Sequence, residues 1–175
     1  MSLLNYAAPG TLSSDARLDL LALCTHHPSM HDAYLAAAIA EAKQGRSEGG
    51  IPIGSVLVLD GNVVGRGHNR RVQNASAVLH AEMDCLERAG RLAAVDYRRA
   101  TLYSTLSPCD MCSGAILLYG IPRVVIGENR TFRGPEDYLR FRGVELDIRD
   151  DAGCIALMRD FIAREPALWN EDIGR

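Results

Sequence analysis

Cys109 and Cys112 are separated by two residues in "SPCDMC" (107–112), directly after Pro108. Such a pair can be a disulfide, a redox couple or half of a metal site, and the choice depends on what else the chain offers. "LHAEMD" (79–84) offers an imidazole at His80 and a carboxylate at Glu82. One His and two Cys leave a fourth position for water, the pattern of catalytic zinc; structural zinc sites normally fill all four places with side chains. Bound zinc lowers the pKa of its water from about 15.7 to roughly 7, which makes hydroxide available at neutral pH. Glu82, two residues from a ligand and not itself one, can then ferry protons. A thioredoxin-like redox pair would follow a first strand and have no H-x-E partner. A zinc module used only for binding would have no use for Glu82.

These residues need two helix starts brought side by side. The spacing predicts a helix over 78–89, with His80 and Glu82 near its start, and a second over 109–119, closed by Gly120 with Pro122 beyond. Helix N-termini carry partial positive charge, which favours the thiolate a metal needs. Upstream, "HDAYLAAAIAEAKQGR" (31–46) reads as a helix, and "IGSVLVLDGNVVGRGHN" as a hairpin turning at Asp60-Gly61. Downstream, 100–106, 123–128 and 144–150 read as strands, 135–141 as a helical turn and 151–164 as a helix. A terminal turn starts at Pro166 and runs to Arg175. The alternation after the hairpin implies parallel pairs in a sheet with helices on both faces, an α/β fold. Residues 1–28 read as an arm with a short helix at 14–24, and 29–175 as a single domain.

Composition narrows the function classes. The chain has 175 residues, 47% of them hydrophobic, and a net charge of −3. Proteins that live on nucleic-acid backbones usually carry a basic excess. Here Arg66, Arg70 and Arg71, and Arg130, Arg133, Arg140 and Arg142, form only local clusters, the second among acidic residues. These read as solvated faces, so no nucleic-acid partner is expected. No apolar run approaches the roughly 18 residues of a membrane span. The N-terminal stretch has no basic start and is interrupted by Pro9 and Gly10, unlike a targeting segment. Five cysteines without a secretion signal argue for free thiols and metal ligands in a cytoplasmic protein. Cys24, Cys85 and Cys154 have no motif around them.

H-x-E followed by a strand and P-C-x-x-C, with 27 residues from Glu82 to Cys109, is the signature of the zinc nucleobase deaminases. The resemblance goes further. From about Ala33 onward, "EGGIPIG", "GRGHN", "TLYSTLSPCDMCSGAI", "YGIPR", "GEN" and "EDIG" resemble the free-base cytosine deaminases of the fungal type, within the cytidine-deaminase-like superfamily. That resemblance implies a three-layer α/β/α fold with a mixed five-stranded sheet, one Zn2+ per chain, and a homodimer formed through helices near the site. It implies hydrolysis of cytosine to uracil and ammonia, with zinc-bound hydroxide attacking the ring and Glu82 shuttling protons. Guanine or tRNA adenosine are the alternative substrates.

By the same resemblance, His80, Cys109 and Cys112 hold the metal and Asn69 orients the pyrimidine. The Ala81 N–H donates to the ring carbonyl, and the Ser107 carbonyl accepts from the amine. Phe132 and Trp169 form aromatic walls with Ile53 opposite, and Asp172 pairs with the base edge. Residues 166–175 would then act as a lid that leaves no space for a ribose.

Overall fold

Asp60 and Gly61 both adopt positive φ, 49° and 79°, as a type I′ turn requires of its two central residues. They join strand β1 (Gly54–Leu59) to β2 (Asn62–His68) in an antiparallel hairpin. β1 also pairs antiparallel with β3 (Ala100–Leu106). β3 pairs in parallel with β4 (Arg123–Glu128), and β4 with β5 (Glu145–Ile148). The result is a mixed five-stranded sheet in the order β2-β1-β3-β4-β5. The computed structural model describes residues 30–175, so the arm and its expected 14–24 helix lie outside the described residues.

Side chains alternate between the two faces of a strand, and each face recruits its own helices. Leu57, Leu102, Val124 and Ile126 face one way and bury against Cys85 and Leu86 of helix α1 (Ala81–Ala89) and Ala115 and Ile116 of α2 (Asp110–Tyr119). Val56, Val58, Tyr103 and Val125 face the other way, under Leu35 and Ala38 of an N-terminal helix, αN (Met30–Ser47). This is the expected three-layer α/β/α arrangement. α1 lies so close on β2 that a Cβ at Gly67 would come 2.4 Å from the Cys85 backbone nitrogen, so only glycine fits there.

The remaining helices depart from the sequence reading at their ends. A short α3 (Ala94–Tyr97) precedes β3 and was not expected, since four residues give no period to read. The 135–141 turn is α4 (Glu136–Phe141), and 151–164 is α5 (Ala152–Arg164), whose start is capped by Asp151 accepting from the Cys154 N–H at 2.8 Å. The terminal turn is a seven-residue helix, α6 (Pro166–Asp172), with Pro166 in its first turn, where its missing N–H has no cost. Ile51, Ile53, Ala81 and Leu106 pack with Met158, Phe161 and Trp169, tying α5 and α6 to the end of the sheet from which the metal-binding residues project.

Candidate active site

His80 and Cys109 sit at equivalent places. Each is the residue immediately before its helix, in extended backbone (φ −63°, ψ 164° and φ −71°, ψ 178°), and neither caps the helix with its side chain. The helices were expected to begin at 78 and 109; they begin at Ala81 and Asp110. The difference has a chemical use. Neither side chain is engaged in capping its helix, so His80 and Cys109 are free to reach toward each other, with Nδ1 3.4 Å from Sγ. Cys112, within the first turn of α2, faces the same point. The three donor atoms lie within 4.8 Å of one another.

The Cys112 hydrogen bond draws the Cys109 thiol down to about 4, helped by His80 and opposed by burial; the same bond, with burial, pushes Cys112 well above its ordinary value. Burial works against the His80 cation, but the Cys109 hydrogen bond and the charges of Asp172 and Glu82 together raise its pKa. Glu82 is buried beneath them. One carboxylate oxygen accepts from Ser104 Oγ at 2.8 Å and the other lies 3.3 Å from Cys112 Sγ. Burial, then the neighbouring Cys109 charge, raises its pKa above the ordinary carboxylate value.

Above these groups is a cleft of about 340 Å³. Ile53, His80, Ala81, Glu82, Ser107, Cys109, Phe132, Trp169 and Asp172 line it, all residues marked in the sequence, joined by Leu106 and Ile173, which were not. Ala81 is the first residue of α1, where a backbone N–H has no acceptor within the helix. Phe132 and Trp169 meet edge to face, their ring centroids 6.1 Å apart at 88°. Asn69 is fully buried and bonded to one of these lining residues, Asp172. Its Nδ2 donates to both Asp172 carboxylate oxygens (3.1 and 3.2 Å) and its Oδ1 accepts from the Arg71 N–H.

The loop bearing Phe132 is fixed to the Cys109 turn. Glu136 accepts from Ser107 Oγ at 2.9 Å and from Asn129 Nδ2 at 3.0 Å, and the Gly134 N–H donates to Ser107 Oγ at 3.1 Å. Buried Glu128 accepts from the N–H groups of Arg130 and Thr131 and from the Thr131 hydroxyl. Glu136, only 2% exposed, carried no recognisable motif.

Residues 28–128 match the cytidine and deoxycytidylate deaminase zinc-binding region, more than half of the chain. The chain belongs to this deaminase family. It is 55% identical over 141 residues to the cytosine deaminase of Candida albicans, covering 80% of this chain and 94% of that relative. It is 42% identical over 95 residues to the tRNA-specific adenosine deaminase of Bacillus subtilis, covering 54% and 59%. The solved guanine deaminase from Nitrosomonas europaea shares the fold, with a TM-score of 0.60 at 21% identity over 93% of this chain and 100% of that one.

The donor set fits the zinc of this deaminase family. Bonds of roughly 2.0–2.3 Å to nitrogen and sulfur place neighbouring tetrahedral ligands about 3.3–3.8 Å apart, a range that the 3.4 Å between His80 Nδ1 and Cys109 Sγ meets. His80, Cys109 and Cys112 are positioned to bind one zinc. Among the described residues no helix is long and apolar enough to cross a membrane.

Proposed function

We propose that this member of the family hydrolyses free cytosine to uracil and ammonia. The observation that carries the reading is a small cleft in which Trp169 and Asp172 of α6 stand beside His80, Cys109 and Glu82. Its lining of aromatic and aliphatic side chains around a few polar groups suits a single ring. The Candida albicans relative, matched over nearly its whole length, is a cytosine deaminase, which supports the same substrate.

Zinc, when bound, makes water a nucleophile near neutral pH. The chain's own residues do the rest. The base lies between Ile53 and the Phe132–Trp169 pair. The Ala81 N–H donates to the ring carbonyl oxygen, while the Ser107 carbonyl and the Asp172 carboxylate accept from the exocyclic amine. Glu82 takes a proton from the attacking water and delivers it to ring nitrogen N3 as the new C–O bond forms at C4. It then carries the second proton to the exocyclic nitrogen. The C4–N bond breaks and ammonia leaves neutral. Helix α6 keeps bulk water out of the cleft, which strengthens each of these polar contacts.

The Bacillus subtilis relative supports a second reading, a tRNA adenosine deaminase. RNA editors present unstacked bases to an open, basic surface; a net charge of −3 and a cleft capped by α6 favour the free base. Ammonia release from cytosine, cytidine, guanine and tRNA separates the readings. The expectation is turnover of cytosine with little of cytidine and none of tRNA; cytidine turned over as readily as cytosine would refute the closed cleft.

The finer reading of assembly is a homodimer through the outer faces of α1 and α2. In the single chain Leu118 is 78% exposed beside a groove lined by Met83, Leu86, Leu92 and Tyr119, and a second copy of these helices supplies the matching apolar face. Sedimentation of Leu118→Glu against wild type tests it, the variant sedimenting as a monomer. Cytoplasmic location fits the free Cys85, Cys109, Cys112 and Cys154.

A further inference from the structure

Arg71 belongs to none of the motifs above, yet it ties the segment after β2 to α6, whose Trp169 and Asp172 line the cleft. Its NH1 donates to Asp172 Oδ1 at 2.9 Å, and its NH2 reaches Glu171 at 3.2 Å. Its own backbone N–H donates to Asn69 Oδ1 at 3.1 Å. Residues 69–71, just after β2, are thereby zipped to the C-terminal end of α6.

The two ion pairs differ in weight. Glu171 is 67% exposed, so its pair contributes little. Asp172 is 2% exposed and Arg71 18%, so removing the guanidinium strands a buried carboxylate with neutral amide partners and a histidine 3.8 Å away. Helix α6 is seven residues long, too short to persist without tertiary contacts. Only Trp169 and Asp172 of its residues are buried, so its seat depends on those two anchors, and Arg71 holds one of them.

The carboxylate's hydrogen bonds show what the anchoring achieves. An ionised carboxylate has about four acceptor sites. Asn69 Nδ2 and Arg71 NH1 occupy three from the side away from the cleft, while Asp172 lines the cleft itself. One acceptor direction is left for a donor inside.

We propose that Arg71 is a positioning residue that clasps α6 shut over the cleft and aims the Asp172 carboxylate at an N–H of the bound base. The second half of this statement rests on the reading of Asp172 as a base contact; the first does not.

The test uses zinc-loaded full-length protein and the variants Arg71→Gln and Arg71→Lys. Trp169 is the one tryptophan of the chain and 5% exposed, so its fluorescence reports the seat of α6 directly. In wild type, acrylamide quenches it weakly. In Arg71→Gln the quenching constant rises toward that of free indole while zinc content and far-UV circular dichroism stay unchanged, and Arg71→Lys falls between. KM for cytosine rises roughly ten-fold or more in Arg71→Gln, the size of one charge-assisted hydrogen bond, with a smaller loss in kcat and partial rescue by lysine. Unchanged quenching in both variants overturns the clasp, even if melting temperature falls. Raised quenching with unchanged KM keeps the clasp and refutes the aiming of Asp172. Wild type inactive on cytosine refutes the substrate reading, and quenching still decides the clasp. Should Arg71→Gln fail to fold, the lysine variant carries the same measurements.

Discussion

In the proposed reaction four side chains divide the chemistry between holding a metal and moving a proton, and two substitutions separate the tasks. Cys109→Ala removes one of three ligands and leaves two donors that cannot fill a tetrahedral site, so both zinc and turnover are lost. Metal analysis by plasma mass spectrometry checks this, and stoichiometric zinc in the variant would refute the assignment. Glu82→Gln keeps the size of the side chain and leaves all three ligands in place. It cannot carry a proton, so turnover falls by about 10²–10⁴-fold, the range of general acid–base effects, with zinc content unchanged. Near-normal turnover in a zinc-loaded Glu82→Gln protein would show that another group moves the proton. Burial of Glu82 between Ser104 and Cys112 is what raises its affinity for a proton, and the sequence shows only its two-residue offset from His80.

The elements that position these groups were legible wherever the pattern was local. The type I′ dipeptide, the alternating strands and the glycine stop after α2 each follow from a handful of neighbouring residues, and so do the ligands. What could not be read depends on partners distant in sequence. Asn69 could be marked from its motif, but its bond to Asp172, 103 residues away, could not. His80 and Cys109 were expected inside their helices because apolar periodicity does not distinguish a cap from a first turn. Glu136 is another case, since only the folded chain brings it to Ser107. The same loop supplies a test at this scale. A Cβ on Gly134 would stand 1.8 Å from the Pro108 carbonyl oxygen, which no rotamer can relieve because both atoms are backbone. Gly134→Ala must therefore push the Phe132 loop off the Ser107-Pro108-Cys109 turn. The expected result is weaker zinc retention against a chelator together with a lower kcat/KM, at a melting temperature still well above assay conditions. A variant with wild-type zinc retention and kcat/KM would mean that the loop and the turn move independently.

At the scale of the whole molecule, buried thiols and one buried phenol govern stability at high pH. Lys43 is the one lysine among 19 basic residues; the others are arginines, which keep their charge up to pH 12. Surface ion pairs therefore persist there, and buried acids decide the alkaline limit. Tyr103 crosses from β3 to the αN face, where its hydroxyl lies 2.5 Å from His31 Nδ1 and its ring centroid is 5.3 Å from that of Tyr34. Burial pushes its pKa up to about 12, and burial likewise pushes Cys85, on the buried side of α1, up to about 12 and raises Cys154 of α5. An acid whose folded pKa is raised contributes nothing adverse below its unfolded value, near 10 for tyrosine. Above that, the unfolded chain ionises and the native one does not, so stability is lost as pH rises from about 10 to 12, by about 2 kcal/mol for Tyr103. Tyr103→Phe removes that dependence but also gives up the hydroxyl's hydrogen bond, about 1 kcal/mol at every pH. Melting curves of zinc-loaded wild type and variant from pH 8 to 12 should therefore cross. The phenylalanine protein melts lower at pH 8, the gap closes above pH 10, and it melts higher near pH 12. Cys85 and Cys154 keep both proteins falling from about pH 9, so the crossing rather than the fall is the signature of Tyr103. Parallel curves across the range would place the alkaline limit elsewhere in the core.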